Sequence, residues 1–114
     1  MQNYLRFRFG HAPFHLEAMV HRKIVTLSLD VEPSYRKYKE KFFDFVSRRK
    51  SEVTRNIRDV KFQRNWLNAG ARRRIVVTFK DPHLDDDLLK KAVNTLDQIY
   101  TTMKPIVGDF TAEQ

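Results

Sequence analysis

The chain has 114 residues, a formal charge of +8 at pH 7 and a hydrophobic content of 41%, which is too apolar for a disordered basic tail and enough for one core. The absence of cysteine excludes disulfides, thiolate metal sites and a cysteine nucleophile. No apolar run reaches the roughly 20 residues of a membrane span, and the start alternates charged with aromatic residues, unlike a signal peptide, so we expect one cytoplasmic domain over residues 1–114.

Three strands are predicted in residues 4–30, because apolar residues recur there at every second position. The segment Gly10-His11-Ala12-Pro13 separates the first two, since proline cannot donate to a central ladder, and His21-Arg22-Lys23 forms the second turn. The residues predicted to face inward are Leu5, Phe7, Phe9, Phe14, Leu16, Ala18, Val20, Val25, Leu27 and Leu29.

A long amphipathic helix is predicted next, over about residues 35–57 with Ser34 as its N-cap, because Tyr38, Phe42, Val53 and Ile57 recur at helical spacing. The pattern then returns to a period of two. It predicts a β-hairpin whose strands contain Val60, Phe62 and Trp66, then Ile75, Val77 and Phe79, with a turn at Asn68-Ala69-Gly70.

The final helix is predicted to begin at Asp81-Pro82, with Asp85, Asp86 and Asp87 in its first turn, where the helix dipole favours carboxylates. Pro105 is predicted to end or kink this helix near Lys104, because proline lacks the amide hydrogen and crowds the preceding turn. Ile106, Val107 and Phe110 are then expected to close the core.

The predicted order is therefore βββαββα, an α+β fold with two layers: a five-stranded, mainly antiparallel sheet and two helices on one face. The other face is polar and is predicted to be accessible. Its predicted residues are Arg6, Arg8, His15, Glu17, Thr26, Ser28, Lys61, Gln63, Asn65, Arg74, Thr78 and Lys80.

The basic residues are concentrated in one part of the chain. Residues 1–80 hold 19 of the 22 Lys and Arg against 7 acids, whereas residues 81–114 hold 3 against 7. Lys and Arg supply the nonspecific affinity for nucleic acids through phosphate contacts. We predict a non-enzymatic module that binds DNA or RNA through phosphates. The residues predicted to bind are Arg6, Arg8, Lys61, Arg64, Arg72, Arg73 and Arg74.

Other functions fit the same residues. The basic cluster Arg48-Arg49-Lys50 of the long helix has acidic neighbours that partly neutralise it. The basic surface also suits a protein-interaction or homodimerisation module, which would meet an acidic partner or the acidic segment 81–114 of a second copy.

An acid–base or metal site around His15 and Glu17 is the third alternative. His21 shares their side of the strand, but positions 15 and 21 of a strand are about 20 Å apart. His15 and Glu17 alone supply only two ligands, and no Gly-rich phosphate loop or nucleophile elbow is present. We therefore predict no catalytic residue, no metal and no cofactor.

A family resemblance is carried by Phe14-His15-Leu16-Glu17-Ala18, Ile24-Val25-Thr26-Leu27, Tyr38-Lys39-Glu40, Trp66, Arg74-Ile75, Leu96-Asp97-Gln98-Ile99-Tyr100 and Lys104-Pro105-Ile106. The chain resembles, from Tyr4 to Phe110, an uncharacterised prokaryotic family of small domains often fused to the C-terminal end of restriction-endonuclease-like proteins. Most of these residues are core positions, so the resemblance implies a fold more than an activity. The chain lacks the nuclease portion and an acid-acid-Lys metal motif. The resemblance implies an accessory role in DNA processing or in defence against foreign DNA.

Overall fold

The five strands form one antiparallel sheet, in a computed structural model that describes residues 2–10, 14–21, 23–31, 36–63, 74–80 and 85–113. The elements in chain order are β1 (Gln2–Arg8), β2 (Phe14–His21), β3 (Ile24–Val31), α1 (Arg36–Ser47), α2 (Lys50–Asn56), β4 (Lys61–Gln63), β5 (Arg74–Lys80) and α3 (Asp86–Ala112). The strand order is β1-β2-β3-β5-β4, and every neighbouring pair is antiparallel. The predicted α+β fold with a five-stranded antiparallel sheet is confirmed.

The hydrophobic core lies between one face of the sheet and the helices. Leu27 and Leu29 of β3 and Ile75 and Val77 of β5 are almost completely buried in it. The Phe110 ring, on α3, contacts three aromatic rings of α1, with centroid distances of 5.1 to 5.4 Å. The helices thus cover one face of the sheet, as their apolar stripes predict. The fully buried helical residues are Val53, Ile99, Met103, Ile106 and Val107, and Ile57, just after α2, is also fully buried.

The predicted single helix over about residues 35–57 is wrong, because the chain forms two helices there, α1 and α2. At the break the Arg49 amide donates to the Val46 carbonyl at 2.9 Å, one residue closer than in an α-helix. In a continuous helix the stripe of Phe42, Val46 and Val53 would include Arg49. The break keeps the Arg49 side chain partly exposed while Val53 returns to the core.

Helix α3 continues through Pro105 to Ala112, so it does not end near Lys104, which was one of the two outcomes predicted for Pro105. Met103 and Ile106 on either side of the proline are fully buried, and this packing on both sides outweighs the lost hydrogen bond. Asp85 is the N-cap of α3, and its carboxylate accepts a hydrogen bond from the Leu88 amide at 3.0 Å. Within the described parts of the chain, no helix is both long and apolar enough to cross a membrane.

Strand β1 lies at an edge of the sheet, and two of its apolar side chains are not buried as predicted. Leu5 is 64% exposed and Phe7 is 41% exposed, although both pair with helix-side residues of β2. Phe9, just after the strand, is buried and contacts the Tyr100 ring at 5.3 Å. Alternation therefore predicted the face of these residues but not how far the helices extend over the edge.

Candidate functional site

A polar face occupies the side of the sheet opposite the helices. Directly paired residues of antiparallel strands lie on the same face, so the register defines its rows across the sheet. The first row is Arg8, His15, Asp30, Arg74 and Gln63, the second is Arg6, Glu17, Ser28, Val76 and Lys61, and the third, from β2 to β5, is Met19, Thr26 and Thr78. We call these positions the polar face.

The centre of the polar face is buried, which corrects the prediction that the whole face is accessible. Glu17 and Asp30 are only 3% and 4% exposed, and the other buried residues of this face are His15, Met19, Thr26, Ser28 and Val76. By contrast, Arg6, Arg8, Lys61 and Thr78 are exposed. The buried positions lie on β2, β3 and β5, which have neighbours on both sides, whereas Arg6, Arg8 and Lys61 lie on the edge strands β1 and β4.

His15, Glu17 and Asp30 come together at this buried centre. The β2–β3 register places His15 directly opposite Asp30, and the two-residue strand period places Glu17 beside His15. The His15 Nε2 atom lies 3.5 Å from Glu17 Oε2 and 3.9 Å from Asp30 Oδ2. The sequence pairs His15 with Glu17, and the structure adds Asp30 as a third polar group.

Arg6 connects this cluster to the exposed rim of the polar face. Its Nε atom donates a hydrogen bond to Glu17 Oε2 at 3.3 Å, while its side chain remains 42% exposed. A carboxylate that leaves water requires a nearby cation or hydrogen-bond donors, since uncompensated burial costs several kcal/mol. Arg6 therefore stabilises the Glu17 carboxylate and still presents guanidinium surface to solvent.

The predicted nucleic-acid-binding residues divide into two groups. Arg6, Arg8 and Lys61 are exposed on the polar face, and Arg74 occupies the backbone position opposite Asp30 on β5. The remaining three predicted residues lie outside the described residues: Arg64, Arg72 and Arg73. The structure thus brings four of the seven predicted positions onto one face of the sheet.

The basic cluster of the long helix lies on the other side of the molecule, at the break between α1 and α2. Arg49 Nη1 donates to Asp109 Oδ2 of α3 at 2.9 Å, and its guanidinium lies 5.0 Å from the centroid of the Phe45 ring. Lys50 Nζ lies 5.7 Å from the Phe62 ring centroid. These contacts pack Arg49 and Lys50 against aromatic rings on the helix side of the sheet and connect the α1–α2 break to α3.

Two buried ionisable residues were missed as site candidates. Asp30 lies 13 residues after Glu17 in the sequence, and only the register of β2 with β3 brings them together. Lys39 on α1 is 1% exposed, and the sequence named it only among the residues of the family resemblance. The polar alternation of β3 was the one available signal, since it placed Asp30 on the same face as Thr26 and Ser28.

No protein-family model matches this chain, and no curated protein or solved structure is significantly similar to it. The resemblance to the endonuclease-associated domain family therefore stays a prediction.

Proposed function

We propose that the protein binds nucleic acid through phosphate contacts on the polar face and that it does so without catalysis. The observation that carries this proposal is the exposure of Arg6, Arg8 and Lys61 on one face of the sheet. The Arg74 backbone position lies in the same row of this face as Arg8. Four strand spacings separate β1 from β4, which makes the face about 19 Å wide. Cations at both edges of a face this wide suit a polyanion that lies across it.

The acidic centre of the polar face is compatible with this proposal. Glu17 and Asp30 are buried, so they present little negative surface to an approaching phosphate. Arg6 also contacts Glu17, which offsets one of the two negative charges. The charge exposed on this face is therefore mainly positive, in agreement with the overall charge of +8.

Fluorescence anisotropy tests this function with labelled single-stranded DNA, duplex DNA and RNA at low and near-physiological salt. Because phosphate contacts dominate, we expect weak sequence preference and an affinity that falls with salt but persists at the higher concentration. Replacement of Arg72, Arg73 and Arg74 by Ala is expected to weaken binding to all sequences and to lower the salt slope. Binding that disappears entirely at near-physiological salt would contradict the proposal.

A protein-interaction or homodimerisation module is the second candidate, and the β1 edge favours it. Leu5 and Phe7 are exposed on this unpaired strand edge, and exposed apolar residues there are a common pairing surface. Light scattering without nucleic acid, at two salt concentrations, distinguishes a dimer formed through charged surfaces from a dimer formed through the apolar β1 edge. A dimer that dissociates in salt indicates contact between the basic surface and the acidic segment 81–114, whereas a salt-resistant dimer indicates the apolar edge.

An accessory role in DNA processing or in defence rests on the family resemblance. A gene for a nuclease beside the gene for this chain would support that role.

A further inference from the structure

We propose that His15, Glu17 and Asp30 bind a divalent metal ion, and that Zn²⁺ is the ion that fits best. One ligand atom from each residue lies within 4.8 Å of the other two. The sequence alone offers only two ligands here, His15 and Glu17, and no metal was predicted from it. The proposed metal site shares Arg6 with the proposed phosphate contacts, but its three ligands are buried, whereas Arg6, Arg8 and Lys61 are exposed.

The donor atoms favour a transition-metal ion over Mg²⁺. Imidazole nitrogen with carboxylate oxygen is a common ligand set for Zn²⁺, whereas Mg²⁺ prefers oxygen ligands and retains several waters. A tetrahedral site with bonds of about 2.0–2.1 Å places neighbouring donors about 3.3 Å apart. The observed separations from His15 Nε2, 3.5 Å to Glu17 Oε2 and 3.9 Å to Asp30 Oδ2, are close to that value. The ligand atoms of Glu17 and Asp30 also lie within 4.8 Å of each other.

The surroundings of the three residues also suit a metal site. Strands β2 and β3 each pair on both sides, so the backbone that carries the ligands is held rigidly. Arg6 donates a hydrogen bond to the Glu17 carboxylate, and such a bond orients a ligating carboxylate. Three protein ligands leave the fourth tetrahedral position to water or to an anionic ligand.

The competing explanation is a polar cluster without metal, in which Arg6 pairs with the Glu17 carboxylate and the His15 imidazole lies between the two carboxylates. In that case Zn²⁺ would neither bind to these residues with a defined stoichiometry nor raise the Tm. Calorimetric titration of Zn²⁺ into the untagged full chain, after treatment with a chelator and without nucleic acid, separates the two explanations. We expect saturable binding of about one Zn²⁺ per chain. At Zn²⁺ concentrations near 100 times the Kd, we expect the Tm to rise by about 10 °C.

Variants of the proposed ligands, compared with a control variant elsewhere on the chain, test whether Zn²⁺ binds at these residues. Asp30→Asn keeps the size of the side chain and is expected to weaken Zn²⁺ binding at least 100-fold, with His15→Ala similar. Asp97→Asn, an exposed position on α3, makes the same chemical change and is expected to leave the affinity unaltered. Absence of saturable binding to the wild-type chain, or unchanged affinity in Asp30→Asn, would overturn the proposal.

The wild-type chain provides a test that does not require a variant to fold. In an NMR titration with Zn²⁺, we expect the imidazole resonances of His15 to shift at the first equivalent. Shifts of His11, His21 or His83 without a shift of His15 would overturn the proposal. Because no nucleic acid is present, failure of the metal site and failure of the phosphate-binding function are observed separately.

Discussion

Replacement of Arg8 and Lys61 by Ala tests the polar face with little risk to the fold. Both side chains are exposed, one on each edge strand of the sheet. Each phosphate contact contributes about 0.9 to the slope of log K against log salt for duplex DNA, and about 0.7 for a single strand. Loss of two contacts is therefore expected to lower the slope by about 1.8 for duplex DNA. Between 50 and 200 mM salt, two such contacts account for an affinity change of about 12-fold.

The assay is fluorescence anisotropy at four or more salt concentrations with the wild-type chain and two double variants. The control is Arg55→Ala with Lys90→Ala, which removes the same charge from exposed positions on α2 and α3. We expect its slope to change by less than about 0.3, because these cations contribute only to the long-range field.

Two results would refute the reasoning. A wild-type slope in the Arg8→Ala, Lys61→Ala variant would show that neither residue contacts phosphate. An equal loss of slope in the control variant would show that only the net charge matters and that the polar face has no special role.

Three further predictions concern stability and titration, each measured by chemical denaturation. Phe110→Ala is expected to cost about 3–5 kcal/mol, because it removes a ring packed on three others; a cost below about 1 kcal/mol would contradict that packing. Pro105→Ala is expected to stabilise the chain by about 1–3 kcal/mol, because Pro105 is exposed inside α3 and alanine restores the helical amide; destabilisation would contradict this. Burial raises the pKa of Tyr38 above its ordinary value, so the neutral hydroxyl is favoured in the folded state. The stability that the neutral Tyr38 hydroxyl contributes is complete below the pKa of tyrosine in the unfolded chain, near 10. It is lost as pH rises through the raised pKa of Tyr38 in the folded chain. Tyr38→Phe is expected to lose less stability than the wild type above pH 10, and equal losses would refute this.

Local periodicity predicted the sheet and the apolar faces of the helices, since both depend on residues close in sequence. It did not predict the break at Arg49, and it left open whether α3 ends or continues with a kink at Pro105. Both outcomes depend on contacts with residues far away in the chain: Val53 returns to the shared core, and buried residues flank Pro105 on both sides.

The candidate site was predictable only in part, for a related reason. His15 and Glu17 are two residues apart on one strand, so their proximity follows from the strand period. Asp30 joins them only through the β2–β3 register. The polarity of a strand also does not reveal whether a polar residue is covered, which is why Ser28 and Glu17 were expected to be accessible.

The most direct test of the phosphate-binding face is an NMR titration that follows the Arg Nε–Hε resonances while an unlabelled DNA or RNA oligonucleotide is added. We expect the Arg8 resonance to shift most, followed by that of Arg6, which also holds Glu17. The Arg48 and Arg49 resonances at the α1–α2 break are expected to change little. Shifts confined to Arg48 and Arg49 would contradict the account and place the binding surface on the helix layer.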